Sequence, residues 1–258
     1  MTLVTWDVHS HIAYVTISRP EVLNCLNYET LQQLHEIVVR LRHSPDVRIV
    51  IFTGAGETAF CAGADLKERK SLNENEVRRN VKKIRDVFTD IAELPQPTIA
   101  AINGYTYGGG FELMLACDFR IAVEEASMGL TEVKWAIIPG AGGTQRLPRL
   151  IGEARAKELI LTGRKITAQD AYQMGLLNQC VKKEELLSSC EKLAKEILKN
   201  APVAIQQAKY AINHGAGVDL HTGLAIEAKA YEITIPTQDR VEALLSFEER
   251  RTPNFIGK

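Results

Sequence analysis

Several kinds of protein are excluded by what this chain is short of. It has no C-x-x-C pair: Cys25, Cys61, Cys117, Cys180 and Cys190 are scattered along the sequence. An odd count without metal-ligand spacing predicts buried thiols in a reducing compartment, not a disulfide framework. The six histidines form no i, i+4 pair, so no metal site is predicted. Excess charge is missing too. A net charge of −1 over 258 residues predicts no general attraction to nucleic acid or to an anionic membrane. No apolar run approaches the roughly 18 residues of a membrane-spanning helix, and the start lacks the charged-then-apolar pattern of an export signal. The expectation is a soluble, cytoplasmic, bacterial-type protein. The phosphate loop G-x-x-x-x-G-K-[ST], the G-x-G-x-x-G fingerprint and the nucleophile elbow G-x-S-x-G are all absent. A nucleotide phosphate site and a serine nucleophile are therefore not expected. There is no internal repeat and no low-complexity tract.

What is present is a glycine triplet around which the rest is arranged, at residues 103–112, Asn-Gly-Tyr-Thr-Tyr-Gly-Gly-Gly-Phe-Glu. A short apolar run precedes it and reads as a buried strand; residues 113–117 follow and read as a buried helix. Glycines at such a junction let backbone amides approach a ligand, because no Cβ intervenes. The free N–H groups of the new helix favour negative charge. Glu112 lies about one helical turn inside, so its carboxylate and the Gly109 amide could face one cavity. An amide and a carboxylate together can stabilise an oxyanion while a proton moves.

In chain order, residues 12–18 read as a strand, and Asn27 caps a helix to about residue 43 with Leu31, Leu34, Val38 and Leu41 on one stripe. Residues 47–53 form a β-branched strand. Small residues 60–65 lead into a charged segment, 66–85, helical through residue 94 and stopped by Pro95 and Pro97. Residues 98–102 and 119–123 read as strands, and a second glycine-rich loop occupies 137–144. Residues 146–161 and 167–174 read as helices, the latter ended by Gly175. No strand longer than a few residues is expected beyond residue 184, and Pro202 suits a first helical turn. This alternation argues for an α/β fold with right-handed crossovers.

Glu112 is the strongest single candidate. Its apolar neighbours Phe111, Leu113, Met114 and Leu115 would take its carboxylate out of water and raise its pKa, which suits an acid or base. The alternative is a structural Glu paired with a buried Arg such as Arg120. Glu132, before the second glycine loop, is by itself more often a surface or capping residue. The small residues at 60–65 could be a tight turn alone, or could bring the Ala64 amide opposite Gly109. The basic residues of 67–85 read as a solvated face, or as a cationic rim for an anionic ligand.

Taken together, residues 60–69 (FCAGADLKER), 100–104 (AAING), 108–112 (GGGFE), 116–118 (ACD) and 138–147 (IPGAGGTQRL) resemble the crotonase (enoyl-CoA hydratase/isomerase) superfamily, and the likeness spans nearly the whole chain. The resemblance implies an α/β fold: a spiral of ββα turns over residues 1–195 and a helical trimerisation segment over 196–258, assembled as a trimer or dimer of trimers. It implies an acyl-CoA thioester as substrate, hydrated across its 2-trans double bond, with no cofactor beyond the coenzyme A of the substrate. Ala64 and Gly109 would supply oxyanion-hole amides, Glu112 and Glu132 the two catalytic carboxylates, and Gly140 an amide that places the water. Backbone around Val22, Leu23, Leu26, Ala62, Ala64, Asp65, Leu66 and Gly109 would hold the CoA. Residues 60–69, 136–149, 222–227 and 235–240 are similar to the branch that hydrates methylglutaconyl-CoA in leucine breakdown, which also binds AU-rich RNA. RNA binding there goes with a lysine-studded first helix. The matching helix here has no lysine, so no nucleic-acid or membrane partner is expected. Tyr107 stands where that family usually has a smaller or aliphatic residue, which leaves its effect on the acyl pocket open.

Overall fold

A computed structural model describes residues 2–258, and two compact units divide it. Residues through Leu94 with Thr98–Cys190 form the first, and Pro95–Pro97 with Glu191–Lys258 form the second.

Two sheets organise the first unit. The larger contains β1 (Val4–His9), β2 (Ile12–Ile17), β3 (Ile49–Gly54), β5 (Thr98–Ile102), β7 (Phe119–Val123) and β10 (Gln179–Val181), in the order β1-β2-β3-β5-β7-β10. Only the β1–β2 pair is antiparallel; the other neighbours run parallel. The smaller has the order β4-β6-β8-β9, from β4 (Ala59–Cys61), β6 (Tyr105–Tyr107), β8 (Ser127–Gly129) and β9 (Ile166–Thr167). Successive strand pairs β3–β4, β5–β6 and β7–β8 thus give one strand to each sheet before a helix follows. That is the spiral of ββα turns. All five residues of β5 are buried, as a parallel strand covered on both faces requires.

The helices of this unit are α1 (Tyr28–Arg42), α2 (Leu66–Ser71), α3 (Glu74–Ala92), α4 (Gly109–Ala116), α5 (Gly143–Ile151), α6 (Glu153–Thr162) and α7 (Ala168–Gln173). Asn27 caps α1 by accepting from the Thr30 amide, and Leu31, Leu34, Val38 and Leu41 are its buried stripe. The charged segment expected as one helix is two. Asn73 interrupts it, accepting from the Asn75 and Glu76 amides while Glu76 accepts from the Asn73 amide, a reciprocal cap that starts α3 afresh. The helix expected over 146–161 is also broken, at Gly152, where φ is +81°. Of the strands with no counterpart in the sequence, β4, β6, β8, β9 and β10 are two or three residues long, too short for periodicity to register; β1, of six residues, is the longer exception.

Helix α8 (Leu186–Leu198) starts in the first unit and runs into the second, which holds α9 (Pro202–Gly215), α10 (Leu220–Thr234) and α11 (Gln238–Glu248). α9 and α10 approach closely where Gly215 and Gly223 meet. The second unit has a single fully buried aliphatic residue among these three helices, Ala230, and it leaves Leu220 and Phe247 about four-fifths exposed, at 79% and 84%. No helix among the described residues is long and apolar enough to cross a membrane.

Candidate active site

Backbone packing builds the floor of the site. Gly108, at φ +51°, turns the chain from β6 into α4, and its amide donates to the Gly129 carbonyl (3.0 Å). A Cβ on Gly110 would strike the Cys61 carbonyl, and one on Gly63 would lie 3.3 Å from the Gly109 nitrogen. The segments 61–64 and 108–110 therefore touch backbone to backbone, which only glycines permit. Ala64 bridges Leu26 in parallel fashion: the Leu26 amide donates to Gly63 O (2.8 Å), and the Asp65 amide to Leu26 O (2.9 Å). That pattern turns the Ala64 N–H away from Leu26. Neither the Ala64 nor the Gly109 amide has an acceptor among the described residues, and both line one cavity.

Glu112 enters the same cavity from the first turn of α4 and is 3% exposed. Its Oε1 accepts the amides of Ala141 and Gly143, each at 2.8 Å. The pairing with Arg120 weighed as an alternative does not occur: Arg120 donates to the carbonyls of Leu176 (2.7 Å) and Cys117 (2.6 Å). Burial pushes the Glu112 carboxyl above the ordinary value, and the two amides and the nearby Arg146 charge pull against that without cancelling it.

Glu132 opens a short 3-10 turn, Glu132–Trp135, and reaches the cavity from the other side of the triplet. Its Oε1 lies 3.3 Å from where a Cβ on Gly108 would stand, and its Oε2 is buried without a hydrogen-bond partner. Burial first, and the Glu112 charge in addition, push its carboxyl up to about 7, although the carboxyl's own backbone hydrogen bond and the Arg69 charge oppose this.

The cavity holds about 1430 Å³. Of the expected residues, Val22, Leu23, Ala62, Ala64, Asp65, Leu66, Gly109, Glu112, Glu132 and Gly140 all line it. Leu26 does not; it is 2% exposed and acts through its backbone on Gly63 and Asp65. Asp65 is committed to structure. It pairs with Arg19 (3.0 Å) and caps α2, and although burial raises its pKa, the Arg19 and backbone hydrogen bonds hold it below the usual range. Of the basic segment, Lys67, Arg69 and Arg85 reach the cavity, whereas Arg78 and Lys82 pair with Glu74 and Asp86 on the outside. The place of Tyr107, left open by the sequence, is clear in the fold. Tyr107 shares its strand face with Tyr105, donates to Ser127 Oγ (2.9 Å) and lies under Lys165, so it does not line the cavity. Alternation along β6 turns Thr106 inward instead. The sequence reading missed Trp135, Ile137 and Ile138, an exposed apolar rim of the cavity, and the Ala141 and Gly143 amides on Glu112. The glycine-rich loop was the available signal for those amides.

The ββα spiral thus presents two unpaired amides, one buried carboxylate and one half-buried one to a single cavity, an arrangement that can stabilise an oxyanion while a proton moves. The chain belongs to the enoyl-CoA hydratase/isomerase family, whose model matches residues 7–258. It is 51% identical to an enoyl-CoA hydratase from Bacillus anthracis known by crystal structure, with a TM-score of 0.97 over 99% of this chain and 100% of that one. It is 48% identical to the mitochondrial methylglutaconyl-CoA hydratase of Rattus norvegicus, over 96% of this chain and 80% of that protein. To the short-chain-enoyl-CoA hydratase of Clostridium acetobutylicum it is 42% identical, over 96% of this chain and 95% of that protein.

Proposed function

We propose that this protein is an enoyl-CoA hydratase that adds water across the 2-trans double bond of an acyl-CoA thioester. One observation carries the reading: two differently held carboxylates, Glu112 and Glu132, share a cavity with the unpaired amides of Ala64 and Gly109. The thioester oxygen accepts from both amides, which makes the β-carbon electrophilic. Glu112, cradled by two N–H groups, is the base that takes a proton from water as its oxygen attacks that carbon. Glu132, with a carboxyl near 7, is the acid that protonates the α-carbon. Between the steps the charge rests on the thioester oxygen as an enolate, where each amide is worth roughly 3–4 kcal/mol. Gly140, on the cavity wall, is suited to direct the water with its amide. The CoA lies along Val22, Leu23, Ala62, Ala64, Asp65 and Leu66, and the reaction needs no further cofactor.

Crotonyl-CoA tests this directly. Loss of the conjugated thioester absorbance should be catalysed by the wild-type protein, and no turnover of any 2-enoyl-CoA would end the proposal.

A second reading has its own observation. Arg69 and Arg85 line the cavity, neither in an ion pair among the described residues, and a cation there suits an acyl group ending in a carboxylate, as in 3-methylglutaconyl-CoA. A large preference for crotonyl-CoA over that thioester would sink it. The exposed apolar faces of α9 to α11 support assembly as a trimer or dimer of trimers, which sedimentation would measure. Five free cysteines, three of them buried, suit a reducing, cytoplasmic setting.

A further inference from the structure

We infer that Arg146, which does not face the cavity, is a positioning residue for Glu112. It acts through the loop whose two amides hold that carboxylate. Arg146 lies in the first turns of α5, and its own amide donates to Gly142 O (2.7 Å). Its side chain folds back over Gly142, where φ is +111° and any Cβ would collide with the guanidinium. From there Nη1 donates to the Ala141 carbonyl at 2.9 Å. Ala141 is thus held at both ends of its backbone: its carbonyl by Arg146, and its amide against Glu112 Oε1. The loop Gly140–Gly143 contains three glycines and would otherwise be soft. A guanidinium packed against one of them and bonded to the Ala141 carbonyl restricts that freedom and sets the direction of both amides.

The same placement brings a positive charge towards a buried carboxylate without an ion pair. The charged and titratable groups around Glu112 are Glu132 from the 3-10 turn, Arg146 from α5, and Arg69 and Arg85 on the cavity wall. Glu93 at the end of α3 and the Cys117 thiol act on Arg146 from behind. Of these, Arg146 is the charge that favours ionised Glu112. The geometric and electrostatic parts point the same way: the loop aims two donors at Oε1, and the cation adds to their opposition to the rise that burial imposes.

The inference rests on the hydratase reading for the role of Glu112 as base, but its test does not need turnover. Carbon-13-labelled glutamate, followed by NMR in a Glu132→Gln background, reads the titration of Glu112 itself. Arg146→Gln should raise the Glu112 midpoint by about one pH unit. Arg146→Lys, which keeps the charge, should restore it. With Glu132 intact and crotonyl-CoA as substrate, Arg146→Gln should lower kcat by roughly 10- to 100-fold at a KM within about twofold of wild type. A folded Arg146→Gln protein with the parent's Glu112 midpoint overturns the proposal. Should that variant not fold, Arg146→Lys carries the test, because an ammonium cannot pack against Gly142 and hold the carbonyl as a planar fork does. It should lose several-fold in kcat, and an unchanged kcat overturns the proposal. If crotonyl-CoA is not turned over even by wild type, the hydratase reading fails while the titration result stands.

Discussion

Glu112 and Glu132 are the same side chain in the same cavity, held in two different ways. Glu112 sits on a helix and spends one oxygen on two backbone amides, each a charge-assisted bond worth roughly 1.5–3 kcal/mol. Glu132 sits on a single 3-10 turn, and one of its oxygens is buried with no partner at all. Both carboxyls are raised by burial, and the two amides oppose that rise at Glu112. Donors aimed at a carboxylate favour the anion, whereas burial without donors favours the neutral acid. In the proposed mechanism the backbone around each makes an acid of one and a base of the other.

That contrast can be broken from either side. The largest effect is expected from Glu112→Gln, which removes the base and should cut hydration of crotonyl-CoA by about 10³- to 10⁴-fold. Retention within tenfold would show that another group activates the water. Glu132→Gln should cost about 10²- to 10³-fold in the same assay, since water can replace part of an acid's role. Two glycine variants sharpen the comparison without touching either carboxylate. Gly143→Ala places a Cβ 3.1 Å from Glu112 Oε1 and 2.9 Å from Pro139, and Gly108→Ala places one 3.3 Å from Glu132 Oε1 at a φ of +51°. Each should lower kcat about tenfold. The Gly143 variant should disturb the acid limb of the pH profile, set by Glu112, and the Gly108 variant the alkaline limb, set by Glu132. In wild type that alkaline limb should fall as pH rises through about 7, where Glu132 loses its proton. A flat profile from pH 6 to 8 would remove Glu132 as the acid.

The smallest effect is on stability. The Glu132 carboxyl rises from 4.5 in the unfolded chain to about 7 in the fold, so the folded state binds the extra proton between those values. Stability contributed by this residue is therefore full below about pH 4.5 and lost as pH climbs to about 7. Glu132→Gln should gain on the order of 1–2 kcal/mol over wild type at pH 8 and nothing at pH 4, read from urea unfolding at both. An equal change at the two pH values would point to packing alone.

Most of the site's chemistry was legible in the sequence, because it depends on backbone. Glycine where a Cβ would collide, as at Gly110, leaves a mark that side-chain periodicity does not. The strands β3, β5 and β7 were legible for another reason: full burial makes them continuous apolar runs. The short strands of the second sheet were not, since two or three residues show no period. Asn73 looked like an ordinary polar helix residue, and only its bonds to Asn75 and Glu76 reveal a new helix start. The direction of Tyr107 was not legible either: its neighbour in sequence, Gly108, lines the cavity while strand alternation sends Tyr107 outward. The partner of Glu112 was only half visible. It is a pair of amides about 30 residues along the chain; the glycine-rich loop marks where they are, but nothing in the sequence ties them to this carboxylate.

The depth of Glu112, at 3% exposure, has a consequence for isotopes. In the proposed mechanism one hydration leaves a proton from water on Glu112 and takes the one on Glu132, so the pair ends the cycle with its single proton on the other carboxyl. In that state it is set for the reverse elimination. Before it can hydrate again it must return a hydrogen to solvent from a carboxyl that solvent scarcely touches. Label carried in by water should therefore outlive product release on Glu112, and the protein would keep a brief record of the direction in which it last ran.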